Sequence, residues 1–323
     1  MKNYTTLILG IALTLLNSTG GFAESTVISP HPIGKSRLRI RIVTMYIQAQ
    51  KCYSDEVWKA LHDESPYSKD YNKMVELPVG WHMRTSQGAI AFEYGITDRL
   101  SVGALLPYVT KDVRRQVWSK NANETVWKEI NESGFNDVWF ITKALVYSNA
   151  HGPFGFNWKD GLTVALAYKP SISPDEKIKN GIGDGSNDFR ILLLSMPRLT
   201  KKLFLSPKIW YQYTGKVKDI SGFSKSGWKE GNRFGYRLFA GYKVSHKLAV
   251  VGGLQGWIAG SNKDKNGKEI EDSDTYFHLM VTKLIWRPSK KIIITSGVKM
   301  PFAYKVPFAP ALIPFFYFSY VIG

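Results

Sequence analysis

Apolar and polar side chains alternate with period two along most of the chain. Leu38, Ile40, Ile42 and Tyr46 share one face, and Arg37, Arg39 and Arg41 share the other. Leu100, Val102, Ala104, Leu106 and Tyr108 fall together, as do Leu162, Val164, Leu166 and Tyr168. Phe234, Tyr236, Leu238, Ala240 and Tyr242 stand apart from Arg233, Arg237 and Lys243. A helix would scatter each set around its circumference, whereas a strand sends alternate side chains to opposite faces. The pattern predicts about twelve strands, over 36–48, 84–95, 100–112, 136–147, 161–171, 188–196, 203–215, 233–244, 248–260, 274–287, 291–302 and 312–322. Only 274–287 lacks a clean parity, which admits a bulge there.

The links between these strands come in two kinds. Short ones follow the second, sixth, eighth and tenth strands, at Ile96–Arg99, Pro197–Lys202, Ser245–Lys247 and Pro288–Lys290. Around them one phrase recurs: an apolar run, Ser or Thr, one or two charges, then a fresh aliphatic run, as in EYGITDRLSV, PRLTKKLFL, KVSHKLAV and RPSKKIII. Long polar links follow the odd strands, near 49–83, 113–135, 173–187, 216–232 and 260–273, while Ser148–Asp160 is of medium length. Short turns at one end and long loops at the other are the mark of an up-and-down outer-membrane barrel. Hydrocarbon offers no partner to backbone N–H or C=O groups, so a sheet in a bilayer must close on itself. An even strand count puts both barrel termini on the short-turn, periplasmic side.

Composition agrees with that reading. Aromatics make up 14% of residues, with 10 Trp, 17 Tyr and 17 Phe, in a chain of net charge +17 and mean hydropathy −0.18. Rings with one wet end suit a membrane–water boundary. They gather near strand ends: Tyr94, Tyr147, Tyr168, Tyr242 and Trp286 are expected near the short turns, and Tyr108, Tyr213, Phe234, Trp257 and Phe302 towards the long loops. Two girdles result. A soluble sandwich or propeller would also alternate, but leaves the loop asymmetry and the aromatic ends unexplained.

The N-terminus, MKNYTTLILGIALTLLNSTGGFA, has a lone Lys2, an apolar stretch to Leu16 and small residues ending at Ala23. That is the layout of a secretory signal over 1–23, followed by a short periplasmic segment over 24–35 and the barrel over 36–323. Cys52 is the one cysteine, which excludes an internal disulfide and reads as a free surface thiol. The positive charge is spread along the chain, unlike a nucleic-acid-binding arm, and export makes nucleic acid an unsuitable partner.

Parity also assigns an interior. The inward face is expected to carry Arg37, Arg39, Arg41, Lys143, Lys169, Arg190, Lys208, Arg233, Arg237, Lys243 and Lys299, with Glu93 and Asp137 as its acids. On the lipid face at mid-depth each Arg or Lys would cost about 2–4 kcal/mol, so these side chains belong inside. They either solvate a water-filled wall and pair with Glu93, or form a solute pathway that favours anions.

AFEYGITDRLSVGALLPYV, SGFNDVWFITKALVY, GLTVALAYKPS and GIGDGSNDFRILL resemble the outer-membrane barrels classed with the meta-pathway of phenol degradation. The resemblance covers Ala89 to Met196 well and the remainder by architecture. It implies a transporter of small aromatic or hydrophobic compounds in a Gram-negative bacterium, with no cofactor. The ending Val321-Ile322-Gly323 departs from the terminal aromatic usual in outer-membrane barrels, although Phe316, Phe318 and Tyr320 still alternate. The expected partners are outer-membrane lipid and lipopolysaccharide, the barrel-assembly machinery and a small solute.

Two rival readings stay open. One is a non-transporting surface barrel: an adhesin, receptor or structural protein using loops such as VWSKNANETVWKEIN. The other is a barrel-embedded hydrolase, for which His278 is the one plausible base, without a recognisable nucleophile spacing. NKDKNG from Asn262 echoes a calcium loop but lacks its closing Glu, so no metal is expected.

Overall fold

The computed structural model describes residues 32–53, 74–119, 124–151, 157–158, 161–223, 225–271, 273–306 and 308–323. The expected signal, most of the segment after it and the side chain of Cys52 lie outside the described residues. The strands are β1 (Leu38–Tyr53), β2 (Met74–Glu76), β3 (His82–Gly95), β4 (Leu100–Ser119), β5 (Glu124–Phe135), β6 (Trp139–Tyr147), β7 (Leu162–Lys169) and β8 (Asp188–Ser195). They continue as β9 (Leu203–Tyr213), β10 (Arg233–Lys243), β11 (Leu248–Ala259), β12 (Thr275–Trp286), β13 (Ile292–Lys305), β14 (Phe308–Pro310) and β15 (Ile313–Ile322). One short helix, α1 (Asp175–Lys179), lies in the β7–β8 link.

All but β2, β5 and β14 form the wall, a closed twelve-strand antiparallel barrel in which β1 pairs with both β3 and β15. Closure leaves the wall without a free edge, which is the condition for sheet in hydrocarbon. The outward side chains complete the argument: Phe140, Leu166, Ile191, Ile209, Leu238, Leu254, Met280 and Leu284 are all exposed. An exposed apolar band around a closed barrel is a membrane-spanning surface.

The recurring phrase of the short links has a physical cause. Thr97 Oγ1 accepts the amides of Arg99 and Leu100 at 3.1 and 2.9 Å, and Thr200 Oγ1 accepts those of Lys202 and Leu203 at the same distances. Ser245 does so for Lys247 and Leu248 at 3.2 and 3.1 Å, and Ser289 for Lys291 and Ile292 at 3.2 Å. The hydroxyl satisfies the two amides that the turn would leave unpaired, and the charges beside it stay in water.

Two expectations change. The 113–135 link is not a loop: β4 runs to Ser119 and pairs with β5 as a ribbon beyond the wall. Every described side chain of β5 is exposed or half-buried, so no apolar stripe marks that strand. The bulge exists, but its extra residue is on β13, where Ala303 and Pro301 face the consecutive His278 and Leu279. Proline lacks the N–H that an unbroken ladder requires.

Two girdle assignments also move. Tyr168 lies at the long-loop end, because the medium link sends β7 towards that end; its hydroxyl donates to Asn187 Oδ1 at 3.3 Å and its ring stacks on Phe189. Trp257 shares the parity of buried Val251 and Gln255 and packs against the interior cluster, under the Arg233 guanidinium at 5.2 Å. It is therefore not a girdle residue. Tyr94, Tyr147, Tyr242 and Trp286 are exposed at the short-turn end, and Tyr213, Phe234 and Phe302 at the other, where Tyr108 donates to Ser133 at 3.2 Å.

Candidate functional site

Alternation sends half of every wall strand inward, so the lumen is the site that this fold builds. Its side chains fall into three levels.

At the short-turn end the centre is Glu93, on β3. Arg39 and Arg41 reach its Oε2 from β1 at 3.2 and 3.6 Å, and Lys143 reaches Oε1 from β6 at 2.5 Å. Ser101 Oγ donates to the same oxygen at 2.9 Å. The Ile33 amide adds a bond at 3.3 Å, so the chain ahead of β1 folds across this mouth with Ile33 buried. Gly95 permits the approach: a Cβ there would meet the Gly34 carbonyl oxygen at 2.1 Å. One carboxylate thus serves three cations.

At the long-loop end the balance is different. Lys169 bonds to Asp184 and to Asp188, the latter at 3.0 Å. Asp188 also accepts from Ser186 Oγ at 2.8 Å and Gln212 Nε2 at 2.7 Å, while Gln212 accepts from Arg190. The Arg190 guanidinium lies between the rings of Trp139 and Trp210, at 4.6 and 4.4 Å. Above this, Asp137 accepts the amides of Ile172 and Ser173 at 3.0 and 2.8 Å, which pins the 170–187 link down. Ile178 of α1 and Ile182 are buried beneath it, so the link is a cap. Burial would raise the Asp184 pKa, but the Lys169 ammonium and the Ser186 amide overcome it and hold it below the ordinary 3.8. A cavity of about 220 Å³ opens among the neighbouring loops, lined by Asp184, Phe223, Lys225, Trp228, Glu230 and Asn262.

Between the two ends the lumen is shut by its own side chains. Leu105, Leu192, Phe239, Phe277 and Lys299 have at most 1% of their surface exposed. Lys299 Nζ rests against Met45 Sδ at 3.0 Å and over the Phe315 ring at 5.4 Å. Lys283 Nζ is 4.5 Å and the Arg237 guanidinium 5.2 Å from the centre of the Phe239 ring. Lys208 is buried opposite Arg237 across the β9–β10 pair.

Of the expected inward residues, Arg39, Arg41, Glu93, Lys143, Lys169, Arg190, Lys208, Arg237 and Lys299 all lie inside the wall. Arg233 and Lys243 are half-buried at opposite rims, with Arg233 on Glu230 at 2.5 Å. Arg37 is exposed in the turn ahead of β1 and is not a lumen residue, because the strand begins only at Leu38. Asp184, Asp188, Lys283 and Gln87 were not anticipated. Asp188 shares the parity of Arg190, so its signal was present; Lys283 was hidden by the mixed parity of β12.

His278 points outward. Its Nδ1 is 2.9 Å from the Tyr236 hydroxyl, and the rings of Tyr276 and Phe302 flank it in the long-loop girdle. In NKDKNG, Asp264 Oδ1 accepts the amides of Asn266 and Lys268, both at 2.9 Å, so the acid holds its own turn. Among the described residues no cluster of three or more His, Cys, Asp or Glu could hold a metal.

No family model and no curated protein matches the chain. Solved structures do. The COG4313 outer membrane channel from Pseudomonas putida F1 superposes with a TM-score of 0.68 at 11% identity, covering 95% of this chain and 100% of that one. The two share a fold. The Ralstonia pickettii toluene transporter TbuX gives a TM-score of 0.47 at 6% identity, with 90% of each chain covered. The NanC porin gives 0.43 at 8% identity, over 87% of this chain and 98% of that one.

Proposed function

We propose that this protein is a bacterial outer-membrane channel, exported by its N-terminal signal, that passes small amphipathic solutes through the lumen. The observation that carries this reading is the inward face. A barrel needing only a stable wall could fill its interior with aliphatic side chains, whereas this one buries Arg and Lys beside Trp and Phe at its middle and long-loop levels. Such a wall suits solutes with a flat apolar body and an anionic group. The resemblance to the phenol meta-pathway barrels supports aromatic or hydrophobic cargo, and the lumen cations add the preference for anions. Lipid and lipopolysaccharide would surround the exposed band, and insertion would use the barrel-assembly machinery.

The shut middle level favours a second reading, a closed surface barrel that transports nothing. Purified protein in planar bilayers and liposomes separates the two. Solute uptake or current with anion preference supports the channel. A barrel that carries no current and admits no aromatic acid or alcohol is a surface protein. A hydrolytic role has less support, since the paired His278 and Tyr236 face lipid.

A further inference from the structure

Four inward lysines of this barrel, three of them buried and Lys283 half-buried, are treated in two ways. Lys143 and Lys169, near the two ends, each have a carboxylate within 3.0 Å. Lys299 and Lys283, in the middle, have none within 4 Å among the described residues, and their neighbours are a thioether and ring faces. The two sit on adjacent strands, Lys299 opposite Val281 and Lys283 opposite Gly297, so they are diagonal neighbours on one face. Arg237 shares the Phe239 ring with Lys283 and adds its charge to theirs. A sulfur and a ring face are weak substitutes for the water or carboxylate that a desolvated ammonium needs.

A second polar group at this level also lacks partners. Gln87 stands opposite Met45 on the β1–β3 pair, is 1% exposed, and has neither its amide nitrogen nor its oxygen hydrogen-bonded. Two flat apolar surfaces lie beside these groups, and glycines create them. The Phe239 ring lies across Gly253, where a Cβ would be 2.8 Å from its Cδ1. The Phe315 ring lies across Gly297, where a Cβ would be 2.7 Å from its Cζ. A Cβ would also strike backbone, the Leu238 carbonyl oxygen at 2.2 Å from Gly253 and that of Thr282 at 2.3 Å from Gly297, so neither place admits a side chain. Met45, which covers Lys299, is the flexible element, because an unbranched thioether changes rotamer readily.

Resting on the channel reading above, we propose that Lys299 and Lys283 form a carboxylate station at the mid-barrel closure, where an aryl carboxylate supplies the counter-charge that the wall omits. The carboxylate displaces the Met45 thioether from Lys299, takes the Gln87 amide as a further donor and lays its ring against Phe315 or Phe239. Passing from Lys299 to Lys283 then moves the anion from one strand to the next without leaving positive charge. Neutral arenes gain only the ring contacts, and aryl amines are repelled.

The test uses the full chain in detergent and in liposomes, with benzoate, benzyl alcohol and benzylamine as probes. Binding is followed by Trp fluorescence and calorimetry, and uptake by probe efflux. Benzoate is expected to bind at least tenfold tighter than the other two. Lys299→Met and Lys283→Met should each lose about tenfold in benzoate affinity with benzyl alcohol unchanged, and Lys299→Arg should restore most of it. The unheated gel mobility of each variant verifies that it is a folded barrel. Equal affinity for benzoate and benzyl alcohol, or benzoate binding indifferent to both Met variants, overturns the station. No uptake of any probe, with charge-selective binding intact, overturns the channel reading and leaves the station as the ligand site of a closed barrel. Uptake of all three probes alike, without charge selectivity, keeps the channel and removes the station.

Discussion

The two mouths of this barrel are closed by clusters of different charge balance. At the short-turn end one acid, Glu93, neutralises a single charge among Arg39, Arg41 and Lys143. At the long-loop end Asp184 and Asp188 balance Lys169 and the adjacent Arg190. The first cluster is built on rigid wall strands, while half of the second is carried by the 170–187 cap. One end is a knot of wall residues with surplus positive charge, and the other is a neutral closure half carried by a link between strands. An anion crossing from the loop side would meet a rising positive potential.

The largest test of that contrast is Glu93→Gln. It leaves three cations around a neutral amide, and removal of one partner from a buried ionic cluster costs about 3–5 kcal/mol. Urea unfolding of the refolded barrel in lipid should show that loss; a change below about 1 kcal/mol would mean that water, not Glu93, solvates the cations. Asp188→Asn should cost less, about 1–3 kcal/mol, because Asp184 still serves Lys169 and the amide keeps part of the hydrogen bonding. If the two substitutions cost the same, the difference between the mouths is not energetic.

Two smaller effects sharpen the comparison. Asp184 has a folded pKa below its ordinary 3.8, so its ion pair stabilises the docked cap above that pH. That stabilisation falls away as the pH drops through the lowered folded value. Amide exchange over residues 170–187 should therefore quicken in acid before that of the wall strands, and Asp184→Asn should abolish this difference. Lys299→Met should leave stability unchanged or raise it by about 1 kcal/mol, since it replaces a buried unpaired cation with an apolar side chain of similar length. Marked destabilisation would show that the cation holds the wall together.

Much of this molecule could be read along the chain. Strands β3, β7, β8, β10 and β11 were legible to within two residues, because a wall between lipid and lumen imposes period two on every position. The Ser or Thr of the short turns was legible because its hydroxyl must stand at a fixed place to cap two amides. The β4–β5 ribbon was not, since β5 buries no side chain and so carries no apolar alternation. Trp257 lies near a strand end as the girdle rings do, but its parity with Val251 turns it inward.

Alternation, turn chemistry and aromatic placement determined a closed transmembrane barrel and most of the cations that turn inward, because hydrocarbon accepts no other arrangement of strand and charge. Only the tertiary structure decided which of those cations meet a carboxylate. Arg39 and Glu93 lie opposite each other although 54 residues separate them, and Lys299 meets Met45 across 254. Register and closure place such residues together, and neither is written in the local pattern of any one strand.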